Sequence, residues 1–332
     1  MIGIVSYLVF FLIQALIYSV VSLGLNLQWG YTGLFNIGVA GFFLVGSYTF
    51  AILSGPPYLT HLGGFGLPWI VGVLGAIVLS GIIGLVVGIP TLRLREDYLA
   101  IATIGIAVTL QLVALNARGL TGGSRGAESI PRPFAELVSN NFWSNVVYLA
   151  LIVLVVVIIY YALEAMVRSP WGRVLKAIRE DESAASSLGK NPLLFRLQSF
   201  VIGCAIMGLG GALNASFVGF TAPTDFLPIL TFEIWAMLIV GGSGNNRGAV
   251  LGSVLVWALW TGTGSLTQAL LPSGMQVKGG AVQIILIGLV LMLVLVLRPR
   301  GLIGEEAVVS REAKVGGAGD AQAGAPSLQK GR

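Results

Sequence analysis

The first ninety-two residues contain no Asp, Glu, Lys or Arg, and the first charged side chain is Arg93. A water-soluble fold has to cover its outer face with polar groups, so it cannot leave a stretch of that length uncharged. Charged residues are only 10% of the whole chain and hydrophobic ones 56%, against roughly a quarter charged in soluble domains. In hydrocarbon every backbone N–H and C=O must be paired within the chain, and long apolar runs achieve this as helices. The expected fold is all-α, a polytopic transmembrane helical bundle.

Nine apolar runs, at about 2–23, 34–53, 69–89, 98–116, 142–163, 198–220, 229–241, 249–271 and 280–297, are long enough, or nearly so, to cross roughly 30 Å of hydrocarbon. The expected count is about nine spans, within eight to ten. The second run is rich in glycine and the seventh is short and ends in glycine, so both are candidates for broken or half-spanning helices. The first run reads as a plain apolar helix. It lacks a basic leading segment and a small-residue cleavage site, so it is read as a retained span. Residues 1–304 form the transmembrane domain, and the Gly/Ala-rich tail of mixed charge, 305–332, is expected to be disordered.

The longest charged passage between two apolar runs is Glu164 to Gln198. With this loop placed in the cytoplasm and sides alternated outward, only Arg118, Arg125, Arg132 and Lys278 of the 19 Lys and Arg fall outside. The positive-inside rule then gives an outer N-terminus and a cytoplasmic C-terminus. The net charge of +5 belongs mainly to that inner face, which points to lipid and topology, not to nucleic acid.

Within the loop, Ser169 is a candidate helix cap and Pro170 fits the first helical position. Trp171, Val174, Leu175 and Ile178 recur at helical spacing and form one apolar stripe. Asp181 is a candidate cap for a second short helix carrying Ala184, Ala185 and Leu188, closed by Gly189 and stopped by Pro192. Two readings of the amphipathic helix stay open: it rests on anionic lipid, or its stripe docks into a groove on a cytosolic protein.

Small residues mark packing faces. Gly72, Ala76, Ser80, Gly84 and Gly88 are spaced by four in the third run, and Gly244, Gly248 and Gly252 repeat the spacing near the eighth. The first stripe fits a contact within the subunit or between two membrane subunits. His61 is the one histidine and Cys204 the one cysteine. Neither has companions for a metal site, and a single thiol allows no disulfide within the chain. Glu233 is the one charged residue inside the nine runs. It is expected to face the protein interior or a wet path, where a carboxylate attracts an ammonium group. Snorkelling to the interface and a structural polar network are its alternatives. Asn36 is a second candidate for lining a polar path.

Several motifs carry a resemblance. GRVLKAIREDESAASSLGKN, residues 172–191, is similar to the cytoplasmic loop of LivM-type permeases, membrane subunits of branched-chain amino-acid ABC transporters. Ala184, Ala185 and Gly189 fit the wider importer motif, with Ser183 at its Glu. GYTGLFNIGVAGFF resembles a second signature of that family, with Asn36 at its Ser. RLREDYLAIAT, LTGGSRGAE, the glycine pattern of 241–252 and RPRGLIG resemble four more, and Thr231-Phe232-Glu233 approximates a family Ser-Ile-Glu. The resemblance spans nearly all of 20–304. It implies that Trp171, Gly172, Arg173, Val174, Leu175, Ile178, Arg179, Glu182, Ala184, Ala185 and Gly189 belong to the surface that meets an ATPase.

The implied function is a non-catalytic permease subunit of an ABC importer in the cell membrane, carrying branched-chain or other neutral amino acids. Implied partners are a second, LivH-type permease, two ATPase subunits and an extracytoplasmic solute-binding protein. No cofactor is expected on the chain itself. It has no phosphate-binding G-x-x-x-x-G-K-[ST] sequence, so ATP belongs to the partners. A urea or short-amide permease is the alternative ligand class. A channel or a membrane scaffold is the alternative of another kind, against which stand the absence of a charge ring and the presence of the loop.

Overall fold

A computed structural model describes residues 2–57, 63–133, 141–270, 279–298 and 301–304. His61, Lys278 and the tail from 305 lie outside the described residues, and so does the expectation of a disordered tail. The described chain is helical: α1 (Ile2–Gln28), α2 (Val39–Ser54), α3 (Trp69–Thr91), α4 (Glu96–Asn116), the one-turn α5 (Arg118–Thr121), α6 (Asn141–Arg168), α7 (Pro170–Glu180), α8 (Glu182–Ser187), α9 (Pro192–Val218), α10 (Pro228–Gly241), α11 (Asn246–Leu270) and α12 (Gly279–Leu297). No strand occurs among the described residues, only an isolated antiparallel bridge between Ala127 and Thr221. Five helices, α1, α3, α4, α6 and α9, are long and apolar enough to cross a membrane.

The core is built around α1 and α9, which run antiparallel. Gln14 Nε2 donates to Asn214 Oδ1 at 2.9 Å, and Gln28 Nε2 to the Phe200 carbonyl at 2.8 Å, so one helix descends as the other rises. α1 is not the plain apolar helix expected. Ile17, Ser19, Val20, Val21, Ser22, Leu23, Leu25, Asn26, Leu27 and Gln28 are each 0% exposed. α9 is the other buried axis, with 72% of its most apolar window enclosed.

Around these axes one pattern occurs twice in opposite senses. α1, an extended segment (29–38), short α2 and long α3 form one unit. α9, a second irregular segment (219–227), short α10 and long α11 form the other. α2 and α3 pair as a hairpin through Gly72 against Phe50 and Ser54, and α10 and α11 pair through Gly252 against Met237 and Gly241. Each long first helix packs on the other unit's hairpin, α9 on α2 and α3, α1 on α10 and α11. Both short helices fall in the two runs that are candidates for broken or half-spanning helices. α2 has 16 residues and α10 has 14, about 24 and 21 Å of rise, and each is entered through non-helical chain.

Small residues set these contacts. A Cβ at Gly84 would lie 2.8 Å from Cys204 Cβ, and one at Gly88 2.8 Å from Leu197 Cδ1. Ala76 and Ser80 are fully buried between them. The α3 stripe therefore packs on α9 and, through Gly72, on α2, inside the subunit. Gly248 and Gly252 likewise lie against α10. Gly244 does not share their helix face: α11 begins at Asn246, and Gly244 sits in the preceding turn with φ +79°. That left-handed conformation favours glycine, and its N–H donates to Asn26 Oδ1 at 2.9 Å.

Candidate functional site

The irregular segment 29–38 lies where a continuous helix would leave no unpaired backbone. Its polar groups are taken up by side chains from four helices, as non-helical backbone inside a bundle requires. Ile37 N–H donates to Thr103 Oγ1 at 3.0 Å on α4, and Ala40 N–H to Thr231 Oγ1 at 3.0 Å on α10. The Asn36 carbonyl accepts from Trp235 Nε1 at 3.0 Å, also on α10. Thr32 Oγ1 and Ser199 Oγ share a hydrogen bond at 2.7 Å, and each hydroxyl lies within hydrogen-bond distance of the Leu27 carbonyl. Trp29, Phe35 and Trp235 pack against one another, tilted or edge to face, at centroid distances of 5.1, 5.3 and 5.0 Å.

Asn36 belongs to this scaffold. Its amide donates to Gln28 Oε1 at 2.8 Å, its Oδ1 accepts the Gly38 N–H at 2.7 Å, and the residue is 0% exposed. Buried on all sides, the side chain holds the break in the helix.

The charged loop folds back onto the same segment. The Arg179 guanidinium donates to the Gly30 carbonyl. Gly33, at φ +76°, leaves room for the Arg179 stem, because a Cβ there would stand 3.1 Å from Arg179 Cγ. Lys176 Nζ lies over the Tyr31 ring at 5.5 Å. Trp171 Nε1 reaches Gln198 Oε1 on α9 at 2.8 Å, and Gly172 allows α7 to turn tightly against the Val167 carbonyl. Leu175 is 0% and Ile178 2% exposed, with Trp171 and Val174 half-buried. The apolar stripe is thus covered by the chain's own helices. Leu175 and Ile178 are closed off within the chain, while Trp171 and Val174 keep part of their surface open.

What the loop leaves uncovered is its other half. Asp181 caps α8 as expected, accepting the Ala184 N–H at 3.0 Å. Ser169 does not cap α7; its hydroxyl donates back to the Met166 carbonyl at 2.6 Å. Pro192 opens α9 behind the Asn191 cap as well as ending the loop. Ala185 is buried, whereas Arg173, Glu182, Ala184 and Gly189 are exposed and Leu188 is 80% exposed. Glu182 reaches back to Arg196 at 2.9 Å, fastening α8 to α9.

Glu233 lies on α10 two residues from each of the segment's anchors, Thr231 and Trp235, and is half-buried. Gln14 on α1 pairs with Asn214 on α9, so a polar line links the two axial helices in the middle of the apolar bundle. A second line runs at the loop end: Asn26 Nδ2 donates to Asn246 Oδ1 at 3.0 Å, Asn246 Nδ2 to Glu164 Oε2 at 3.0 Å, and Arg168 pairs with Glu164 Oε1 at 2.7 Å. Gln14, Asn26 and Gln28 were the signal for both lines. Each is an amide in or just beyond an apolar run, where an unsatisfied polar group is costly and a partner is implied. Among the described residues no group of three or more His, Cys, Asp or Glu comes together that could hold a metal ion.

The basic side chains separate by end. Arg93, Arg95, Arg247, Arg298 and the six of the loop lie with α7 and α8. Arg118, Arg125 and Arg132 lie at the opposite end, near the Ala127–Thr221 bridge. There Gly122, Gly123 and Gly126 all have positive φ in a tight turn.

Comparison with known proteins agrees with the motifs. Residues 7–295 match the family described as branched-chain amino acid transport system / permease component. The high-affinity branched-chain amino acid transport system permease protein LivM of Salmonella typhimurium is 33% identical over 264 residues, covering 73% of this chain and 60% of that protein. A probable branched-chain amino acid transport permease protein LivM of Methanocaldococcus jannaschii is 28% identical over 327 residues, 89% of this chain and 92% of its own length. The permease protein LivH of Salmonella typhimurium is 27% identical over 254 residues, 72% of this chain and 79% of that protein. The chain thus spans about 60% of the length of the LivM proteins it matches from Salmonella typhimurium and Escherichia coli. No solved structure matches. The chain belongs to the branched-chain amino acid transport permease family.

Proposed function

We propose that this chain is the LivM-type permease subunit of an ABC importer and forms part of the translocation path for branched-chain or other neutral amino acids. It works with a LivH-type permease, two ATPase subunits that bind the ATP, and an extracytoplasmic solute-binding protein. In this reading nine helices cross the membrane, the N-terminus lies outside and the C-terminus in the cytoplasm. The separation of basic residues between the two ends supports that orientation.

The observation that carries the proposal is the attachment of the charged loop to the broken segment. α7 holds Gly30 through Arg179, the same segment is bonded to α10 at Trp235, and the start of α2 is bonded to α10 at Thr231. A partner that moves the loop therefore acts on a helix that bears Glu233 in the bundle interior. The exposed half, with Ala184, Leu188 and Gly189, is the face offered to the ATPase. Glu233 is the group that meets the ammonium of an entering amino acid.

The test is ATP hydrolysis by the purified complex, with its binding protein, against a panel of amino acids and urea. Stimulation by a neutral amino acid is expected; stimulation by urea alone would reject the ligand class. Glu233→Gln should lower uptake strongly without altering assembly, and full uptake would remove its role. In a Cys204→Ala background, a cysteine at Ser124 should react with an impermeant maleimide from outside, and one at Ser187 only after the membrane is opened. The reverse pattern would overturn the orientation.

A further inference from the structure

The two breaks in the repeated pattern are each clasped by chain from outside their own unit. At the end of the charged loop, α7 holds segment 29–38 through Arg179 and Gly30. At the opposite end, the chain between α4 and α6 holds segment 219–227. Ala127 and Thr221 exchange backbone hydrogen bonds at 2.9 and 3.0 Å, and Ile130 N–H donates to the Gly219 carbonyl at 3.0 Å. Gly126, at φ +72°, lies so close that a Cβ there would run into the Thr221 carbonyl oxygen. Thr221 Oγ1 in turn meets Ser47 Oγ on α2 at 2.7 Å, and Phe226 packs on Phe43 and Tyr48 of the same helix. The segment then enters α10, the helix of Glu233, at Pro228. Load on the clasp at 118–130 therefore reaches the break before α10, as load on α7 reaches the break before α2.

A loop fixed by bonds of this kind is ordered before a partner arrives, so binding to it loses little entropy. Two guanidinium groups stand on it with nothing to bind. Arg118 and Arg125 are exposed, and among the described residues neither side chain has a hydrogen-bond or ion-pair partner. The third arginine of this end is already engaged: Arg132 donates to Asn145 Oδ1 at 3.3 Å and lies over the Phe217 ring. So are the two exposed carboxylates of this end. Asp225 accepts the Ala222 N–H at 3.0 Å, and Glu128 is not free. We infer that residues 118–126 are the docking surface for the extracytoplasmic solute-binding protein, which sets carboxylates of its rim on Arg118 and Arg125. A planar guanidinium takes a carboxylate in two parallel bonds. The same face carries charge of both signs, and this favours a protein over a lipid. A protein surface can set an acid on each arginine and a base opposite Glu128 and Asp225, whereas an anionic headgroup brings negative charge alone.

The inference rests on the importer reading and its outward placement of this end, and not on which amino acid is carried. The test is binding of the transporter's own solute-binding protein to the assembled transporter in phosphatidylcholine nanodiscs, followed by biolayer interferometry at low and at high salt. R118Q/R125Q should weaken binding about tenfold at low salt, the effect of two exposed ion pairs. The loss should lie mainly in the association rate, and the salt dependence of that rate should flatten. R118K/R125K should keep most of the affinity, and R93Q/R95Q, at the opposite end, should leave it unchanged. If the double variant does not assemble, R125Q alone should weaken binding about threefold. Equal binding by the arginine variants and wild type overturns this inference and leaves the importer reading standing. No binding to the wild-type transporter overturns both. Retention of added phosphatidylglycerol by the wild type, lost in R118Q/R125Q while affinity for the binding protein is unchanged, would make this a lipid site and overturns the inference as well.

Discussion

α7 and α8 lie next to each other in one charged loop, and both are short, yet they end in opposite environments. α7 turns Leu175 and Ile178 into the chain's own helices and fixes itself to Gly30 through Arg179. α8 rests on α9 through one buried alanine and one ion pair, Ala185 and the Glu182–Arg196 contact, and carries on to Leu188, 80% exposed. The difference teaches that an amphipathic period announces that a face will be buried, not what will bury it. The helix with the clear stripe is part of the permease body. The helix without one is the part left exposed.

The contrast breaks most readily at Ile178. Ile178→Asp would put an unpaired carboxylate in a closed site, at about 4 kcal/mol or more, and should abolish monodisperse permease in detergent. Leu188→Asp should change stability by less than about 0.5 kcal/mol while lowering ATP hydrolysis by the assembled transporter. A stable Ile178→Asp permease would mean that α7 is not body but surface. Next in size is Arg179→Met, which keeps the stem beside Gly33 and removes the bond to Gly30. A loss of about 2 kcal/mol is expected for a charge-assisted bond, read as a lower unfolding midpoint with faster amide exchange across 29–38. Gly33→Ala should lose about 1–2 kcal/mol because φ +76° is unfavourable for a residue with a Cβ. Smallest is Glu182→Gln, whose half-exposed pair with Arg196 should contribute less than about 1 kcal/mol; a larger loss of thermal stability would mean that α8 too is built into the body.

Much of the helical layout was legible, because apolar length and small-residue spacing are local properties. Pro170 at the first position of α7, Asp181 as cap and the α3 stripe were all readable for that reason. The arrangement of helices was not. Beside lipid, the outer face of a helix is as apolar as its inner face, so apolarity does not mark burial. α6 is the most apolar of the five long helices and the least buried, and α9 the least apolar and the most buried. α1 reads as a plain apolar helix for the same reason. Its amides Asn26 and Gln28 were the local clue to its central place, yet their partners, Asn246 and the Phe200 carbonyl, are about 170–220 residues away in sequence. Asn36 was visible as a polar group in a span, but its bonds to Gln28 and Gly38 exist only once the chain is broken there.

The central claim is that the loop meets the ATPase with its α8 end while α7 stays within the permease. Single cysteines at positions 178 and 188, in a Cys204→Ala background and the assembled transporter, test it with a short bifunctional crosslinker. The account predicts a crosslink from position 188 to the ATPase subunit and none from 178. A crosslink from 178 with 188 unreactive towards the ATPase would contradict it.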